Sequence, residues 1–171
     1  MASPAKLAHV VLRTGQMKAM LDWYVQVLDG RVAHEGGYLS FMTYDEEHHR
    51  VAFAVTGASE RPEDKHTGLH HMAFTYSTLG DLIGTYMRLR ALGIQPIVTI
   101  NHGPTMSMYY TDPDGNNVEL QIDNFGTPEE AQEFFESDAF AENPVGVLFD
   151  ADELAARFEA GEPVADLVKR P

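Results

Sequence analysis

His9, His71 and Glu119 are side chains of the kinds that ligate divalent metals, and they stand at matching places in a chain that repeats itself. Sliding the sequence by 62 residues lays His9 on His71, Met20 on Leu82 and Tyr24 on Tyr86. Matching the last strand-like run of each copy sets Asn117-Val118-Glu119 beside Arg50-Val51-Ala52, so one copy has a carboxylate where the other has an alanine. Two neutral imidazoles, one carboxylate and open positions are the donor set of oxygen-activating non-heme Fe(II), a centre of net charge about +1 with room for substrate and O₂. A lone strand histidine is more often a satisfied structural residue, and a lone strand glutamate is usually solvated. Three of them at equivalent places in a repeat point together to a metal.

The elements that must position these residues are legible from periodicity. Met17, Met20, Leu21, Tyr24 and Leu28 recur at helical spacing, as do Leu79, Leu82, Ile83, Tyr86 and Leu89. A short apolar strand precedes each helix (LAHVVL, then LHHMAF), and three strand-like runs follow each: near 31–34, 38–44 and 50–56, then near 96–100, 106–111 and 117–122. The turn Asp112-Pro-Asp-Gly reads as the last hairpin. The expected architecture is therefore α+β, two βαβββ modules over about 6–57 and 68–123 within a domain of residues 1–126, joined by a polar link over 59–67. Strand alternation puts Val118, Leu120 and Ile122 on one face and Asn117, Glu119 and Gln121 on the other. The same count sets His71 opposite to Met72 and Phe74, and His9 with Val11 on the site face. Met106, Met108 and Val11 are expected to give the site an apolar lining.

Residues 127–171 form a C-terminal extension of different composition, with 12 Asp/Glu against 3 Lys/Arg. That leaves −9 of the chain's −14 in the extension and −5 in the rest. Thr127-Pro-Glu-Glu is a helix start, with proline in the first turn and acids against the helix dipole, and 150–160 is a second short helix. The extension also holds Phe134, Phe135, Phe140, Val145, Val147, Leu148 and Phe149, more apolar surface than water tolerates. It is expected to dock at a subunit interface, making a homodimer or larger, with docking over a sheet edge or the site mouth of its own chain as the alternative.

The net charge of −14 repels phosphate backbones, so nucleic acid is not an expected partner. The apolar runs are too short to cross a bilayer. The chain has no cysteine, so disulfides, thiolate metal sites and cysteine nucleophiles are excluded, and a metal site must be built from His and carboxylate. The opening MASPAKLAHVV has no apolar stretch behind a basic end, and a cytoplasmic location is expected.

From Lys6 to Phe125 the sequence resembles the vicinal oxygen chelate superfamily, and within it the extradiol ring-cleaving dioxygenases of the dihydroxybiphenyl-cleaving, one-domain kind. The motifs that carry the resemblance are LAHVVL, HHRVAFAV, LHHMAF and NHGPTMSMYYTDPDGNNVELQ. The resemblance implies paired βαβββ modules whose mixed sheet curls round the metal, a catecholic substrate and O₂ as partners, and Fe(II) on His9, His71 and Glu119. It further implies His49 as a group that stabilises oxygen intermediates, and His102 and Tyr110 as groups that hold a substrate hydroxyl and move protons. Alternation back from Val51 and Phe53 selects His48 instead of His49 for the face of Ala52, whereas the resemblance selects His49. Two other functions fit the same fold. A glyoxalase-like isomerase or lyase is expected to complete its metal shell with a ligand where Ala52 stands, and a drug-binding protein of this fold carries no metal triad.

Overall fold

The structure, a computed structural model, describes residues 1–57, 60–61, 63 and 65–170. Of the link expected over 59–67, residues 59, 62 and 64 lie outside the described residues. Two compact units form, one of Met1–Gly68 with the turn Asp112–Asn116, the other of Leu69–Thr111 with Asn117 onwards.

The first unit runs β1 (Val10–Thr14), α1 (Met17–Val27), β2 (Arg31–His34), β3 (Leu39–Thr43) and β4 (Val51–Val55). Its sheet has the order β1-β4-β3-β2, with β1 parallel to β4 and the other pairs antiparallel. A parallel pair needs a crossover, and α1 is part of it. The helix buries Met20, Leu21, Tyr24 and Val27, and the sheet supplies Leu12, Met42, Val51 and Phe53 to the same core. Gly30 is required where the chain returns from α1 to the sheet. A Cβ there would sit 2.5 Å from the Met42 methyl and 2.7 Å from the Thr43 carbonyl oxygen.

Tyr24 is fully buried against the Phe53 ring, and its hydroxyl donates 3.0 Å to Asp112 Oδ2. Burial and the Asp112 carboxylate push its phenol far above the usual tyrosine range, so it stays a donor. Asp112 also accepts from the Asp114 and Asn116 backbone amides and from Asn116 Nδ2, which sets the 112–116 turn. Tyr24→Phe should therefore lower unfolding stability by about 1–3 kcal/mol, the usual loss for a bond to a buried charged partner. Urea denaturation read by circular dichroism measures it, and wild-type stability would show the bond to be idle.

The second unit runs β5 (His71–Thr75), α2 (Leu79–Ala91), β6 (Val98–Asn101), β7 (Thr105–Thr111) and β8 (Asn117–Asp123), the same order of elements. The extension adds α3 (Pro128–Phe135), α4 (Asp138–Glu142), β9 (Val147–Leu148), α5 (Ala151–Glu159) and α6 (Val164–Leu167). Here the sheet order is β5-β8-β7-β6-β9, with β5 parallel to β8. The fold is thus α+β, with mixed sheets of four and five strands, one in each unit. Register bears out the internal repeat: Val11 faces Ala52 in the first unit as Ala73 faces Glu119 in the second.

Thr127 caps α3 through a reciprocal capping box with Glu130, and Asp150 caps α5, so both helices expected in the extension form. The extension packs on its own chain, over a sheet edge as in the alternative expectation. β9 pairs with the free edge of β6, and Ala151, Leu154, Ala155 and Leu167 are buried. Asp152 accepts 2.7 Å from the Tyr86 hydroxyl and pairs with Arg90 at 2.9 Å, which fastens α5 to α2. Burial, with this bond behind it, pushes the Tyr86 phenol up to about 12. An open sheet edge and an apolar helix face lie near in sequence, and the extension satisfies both. Phe135, Val145 and Leu148 stay exposed.

Candidate active site

Three parallel and antiparallel strands of the second unit carry one polar face. Glu119 on β8 stands beside Ala73 on β5 and opposite Tyr109 on β7. From the start of β5, His71 Nε2 reaches 2.9 Å from Glu119 Oε2. The Glu119 carboxylate is buried, at 4% exposure, yet flanked by the hydrophobic Val118 and Leu120 that face the other way. A buried carboxylate aimed at an imidazole, on a face otherwise built of Ala73, Ser107 and Gln121, suits metal ligation by hard-to-intermediate donors. Among the described residues no three His, Asp or Glu side chains gather into one cluster. The pair His71–Glu119 is what the second unit brings together.

Tyr109 continues this row. Its ring lies edge-on to His71 at 5.5 Å, and its hydroxyl is 2.9 Å from His102 Nε2. Burial first, then the Glu119 charge and a hydrogen bond to it, hold the Tyr109 phenol above the ordinary tyrosine range. The Tyr109 hydroxyl thus lies between Glu119 and His102, and its single proton goes to one of them at a time, to the Glu119 carboxylate or to an unprotonated His102 Nε2.

Tyr110, expected as a proton-moving residue, is not part of this chain. It is 1% exposed and shares the core face with Met106, Met108, Val118 and Leu120, its hydroxyl 4.0 Å from the Met108 sulfur. The reason is the two-residue period of β7: adjacent tyrosines must point to opposite faces. Tyr109 is the tyrosine on the polar face, and the alternation of the apolar Met106, Met108 and Tyr110 is the signal of that in the sequence. The same face removes Met106 and Met108 from the site lining, since both are buried in the core. Val11 does stand open, at 52% exposure.

In the first unit His9 precedes β1 by one residue, and its ring centre lies 4.4 Å from that of His49. His49 stacks on Phe41 at 4.6 Å, and His48 Nδ1 is 2.6 Å from His49 Nδ1. Of the two candidates, His49 is the one turned towards His9 and half-buried, while His48 is exposed. Alternation misled because residues 45–50 form a turn and β4 begins only at Val51. Burial, together with the nearby His9 and His48, lowers the His49 imidazole below its ordinary range.

Arg50 organises this turn. Its guanidinium bonds Asp45 at 2.8 and 2.9 Å and the carbonyls of Leu7 and Ala8 at 2.8 and 3.1 Å, the two residues leading into His9. The Asp45 carboxyl is held down to about 2, chiefly by that bond. Sequence reasoning missed Arg50 because a guanidinium that bonds backbone leaves no motif. Ala52, on β4, is buried and cannot ligate.

This arrangement of paired βαβββ units, with imidazole and carboxylate on a sheet face, defines the class. The family model of the Glyoxalase/Bleomycin resistance protein/Dioxygenase superfamily matches residues 6–120, and the chain belongs to that superfamily. Two relatives lie much nearer. The chain is 50% identical over 165 residues to "Biphenyl-2,3-diol 1,2-dioxygenase 2" of Rhodococcus globerulus, covering 96% of this chain and 87% of that protein. It is 47% identical over 167 residues to "Biphenyl-2,3-diol 1,2-dioxygenase 3" of the same organism, covering 96% and 88%. Both matches include the extension. Among solved structures, lactoylglutathione lyase from Agrobacterium tumefaciens is similar with a TM-score of 0.58 at 19% identity, covering 71% of this chain and 96% of that one. A fosfomycin resistance protein from Mesorhizobium loti gives 0.56 at 20% identity, covering 76% and 99%. These structural likenesses show the fold alone. No helix among the described residues is long and apolar enough to cross a membrane.

Proposed function

We propose that this chain opens the ring of a 2,3-dihydroxybiphenyl-like catechol beside its diol, with Fe(II) held by His9, His71 and Glu119. Its activity class is extradiol dioxygenase, an oxidoreductase that places both atoms of O₂ in the product, as the two relatives at about half identity over nearly the whole chain indicate. The observation that carries the site is His71 Nε2 and Glu119 Oε2 converging at 2.9 Å on the polar face. The alanine at position 52 supports an open shell, since it stands in register where a further carboxylate would complete a four-residue set.

When bound, ferrous iron supplies a centre that accepts both diol oxygens and O₂ and lets electrons pass between them. The chain's own residues handle protons and position. A catechol gives up protons to chelate, so an acceptor near neutral pH is required, and His102 Nε2 offers one through the Tyr109 hydroxyl. That hydroxyl can return a proton when the ring opens and a leaving oxygen gains charge. His49 lies beside the ligand His9 as the polar group of the first unit best placed to meet an oxygen substituent. The buried Glu119 is neutralised by the cation it serves, which lifts the cost of keeping a carboxylate out of water.

Anaerobic reconstitution with Fe(II), followed by O₂ and 2,3-dihydroxybiphenyl, tests the reading. A yellow ring-opened hydroxy-keto acid with one O₂ consumed per substrate is expected. A colourless muconic diacid, cleaved between the hydroxyls, would overturn it.

A further inference from the structure

The C-terminal extension does more than cover a sheet edge, for it converges on one histidine. Val145, in the segment leading to β9, turns its carbonyl oxygen to His102 Nδ1 in a short hydrogen bond. Arg170 Nη1 donates to the His102 carbonyl at 3.1 Å, while its Nη2 donates to the Asn143 carbonyl at 2.6 Å. Asn101 Nδ2, next in the chain, donates to the Val168 carbonyl at 2.9 Å. The Phe134 ring covers Gly103, and β9 pairs with β6 at Asn101 and Ile100. Residues from four parts of the extension thus hold the three residues 101–103.

We infer that the extension is a positioning element for catalysis, whose Val145 carbonyl sets the tautomer and ring orientation of His102. The reasoning is one of donors and acceptors. A peptide carbonyl only accepts, so the bond from His102 requires a proton on Nδ1. In the neutral ring Nε2 then carries the lone pair, and Nε2 is the atom facing the Tyr109 hydroxyl at 2.9 Å, so that hydroxyl donates to His102 and not to Glu119. The extension therefore presents a base to Tyr109. The opposite tautomer would set an N–H against the Tyr109 oxygen and a lone pair against a carbonyl, leaving the first bond reversed and the second lost. This inference rests on the reading of His102 as a proton-handling residue.

The carbonyl is itself held in place. Asn143 Oδ1 accepts from the Val145 amide at 3.2 Å and the Gly146 amide at 2.9 Å, and its Nδ2 donates 2.8 Å to the Gly146 carbonyl. Gly146 has φ +114°, and a Cβ there would overlap the Asn101 carbonyl oxygen and lie 2.8 Å from His102 Cα. Only glycine lets the extension approach His102 so closely.

The test uses the full chain labelled with [¹⁵N]histidine and loaded with Zn(II), a diamagnetic stand-in, with the His102 resonances assigned by their loss in His102→Gln. Two-bond ¹H–¹⁵N correlations at mildly alkaline pH are expected to show the Nδ1–H tautomer in the wild type. Gly146→Ala and Asn143→Ala should shift His102 towards the Nε2–H form. In the iron enzyme the same variants should retain metal and lose about tenfold or more in turnover, a part of the about 10²–10⁴-fold that a positioned acid–base group supplies. Asn143→Asp keeps both amide acceptor bonds and should recover most of the wild-type tautomer and rate. An Nε2–H tautomer in the wild type overturns the inference, even if a variant fails to fold, and so does an unchanged tautomer with unchanged turnover in both alanine variants. Wild-type turnover in His102→Gln is a distinct result. It removes His102 from the chemistry and leaves the tautomer measurement standing.

Discussion

Glu119→Ala is expected to bind no iron after anaerobic reconstitution and to consume no O₂ with a dihydroxybiphenyl. Glu119 is the one carboxylate of the proposed triad, and its removal leaves two neutral imidazoles facing a divalent cation. Losing a partner that merely supports a ligand costs about 10–100-fold in affinity or activity, so losing the charged ligand should exceed that range. Val118 and Leu120, which carry the core face of β8, are untouched by the substitution. Folding can therefore be checked by circular dichroism while metal is counted by atomic absorption. Full iron occupancy in Glu119→Ala would sink the ligand assignment, whatever the activity.

The second large effect separates two neighbours. Tyr109→Phe should keep iron and lower turnover by about 10²–10⁴-fold, because it removes the hydroxyl between Glu119 and His102. Tyr110→Phe should leave turnover near wild type. Its hydroxyl lies 4.0 Å from the Met108 sulfur, a weak contact on the core face, so the loss is about 1 kcal/mol of stability. Steady-state O₂ uptake on both variants, with iron content measured in parallel, decides. The reverse pattern would return the catalytic role to Tyr110 and mean that β7 pairs in another register.

The two units use their shared pattern unequally. In the second, the parallel pair of β5 and β8 sets His71, Ala73 and Glu119 on adjoining positions of one face. In the first, the equivalent pair presents Val11 and Ala52, and the imidazoles of His9 and His49 stand outside it, where Arg50, next to His49, bonds the segment entering His9. A duplicated scaffold thus carries one carboxylate, not two.

Much of this was determined by the sequence alone, wherever regular periodicity reaches. Helices α1 and α2 follow from apolar spacing, and the βαβββ order follows from the apolar runs between turns. Strand alternation placed His71 and Glu119 on one face, because within β5 and β8 successive side chains must point oppositely. The same rule read on Met106, Met108 and Tyr110 puts Tyr110 on the core face and Tyr109 on the polar one. Periodicity fails outside regular elements. The turn over 45–50 hid the choice between His48 and His49, which depends on backbone direction and on the stacking of His49 against Phe41. The extension's hold on His102 was equally invisible, because it runs through a strand of two residues and through main-chain carbonyls of Val145, Asn143 and Val168. A carbonyl belongs to every residue, so its role has no signature in the sequence. Only tertiary packing, which brings a distant backbone oxygen to one imidazole nitrogen, decides which proton that histidine keeps.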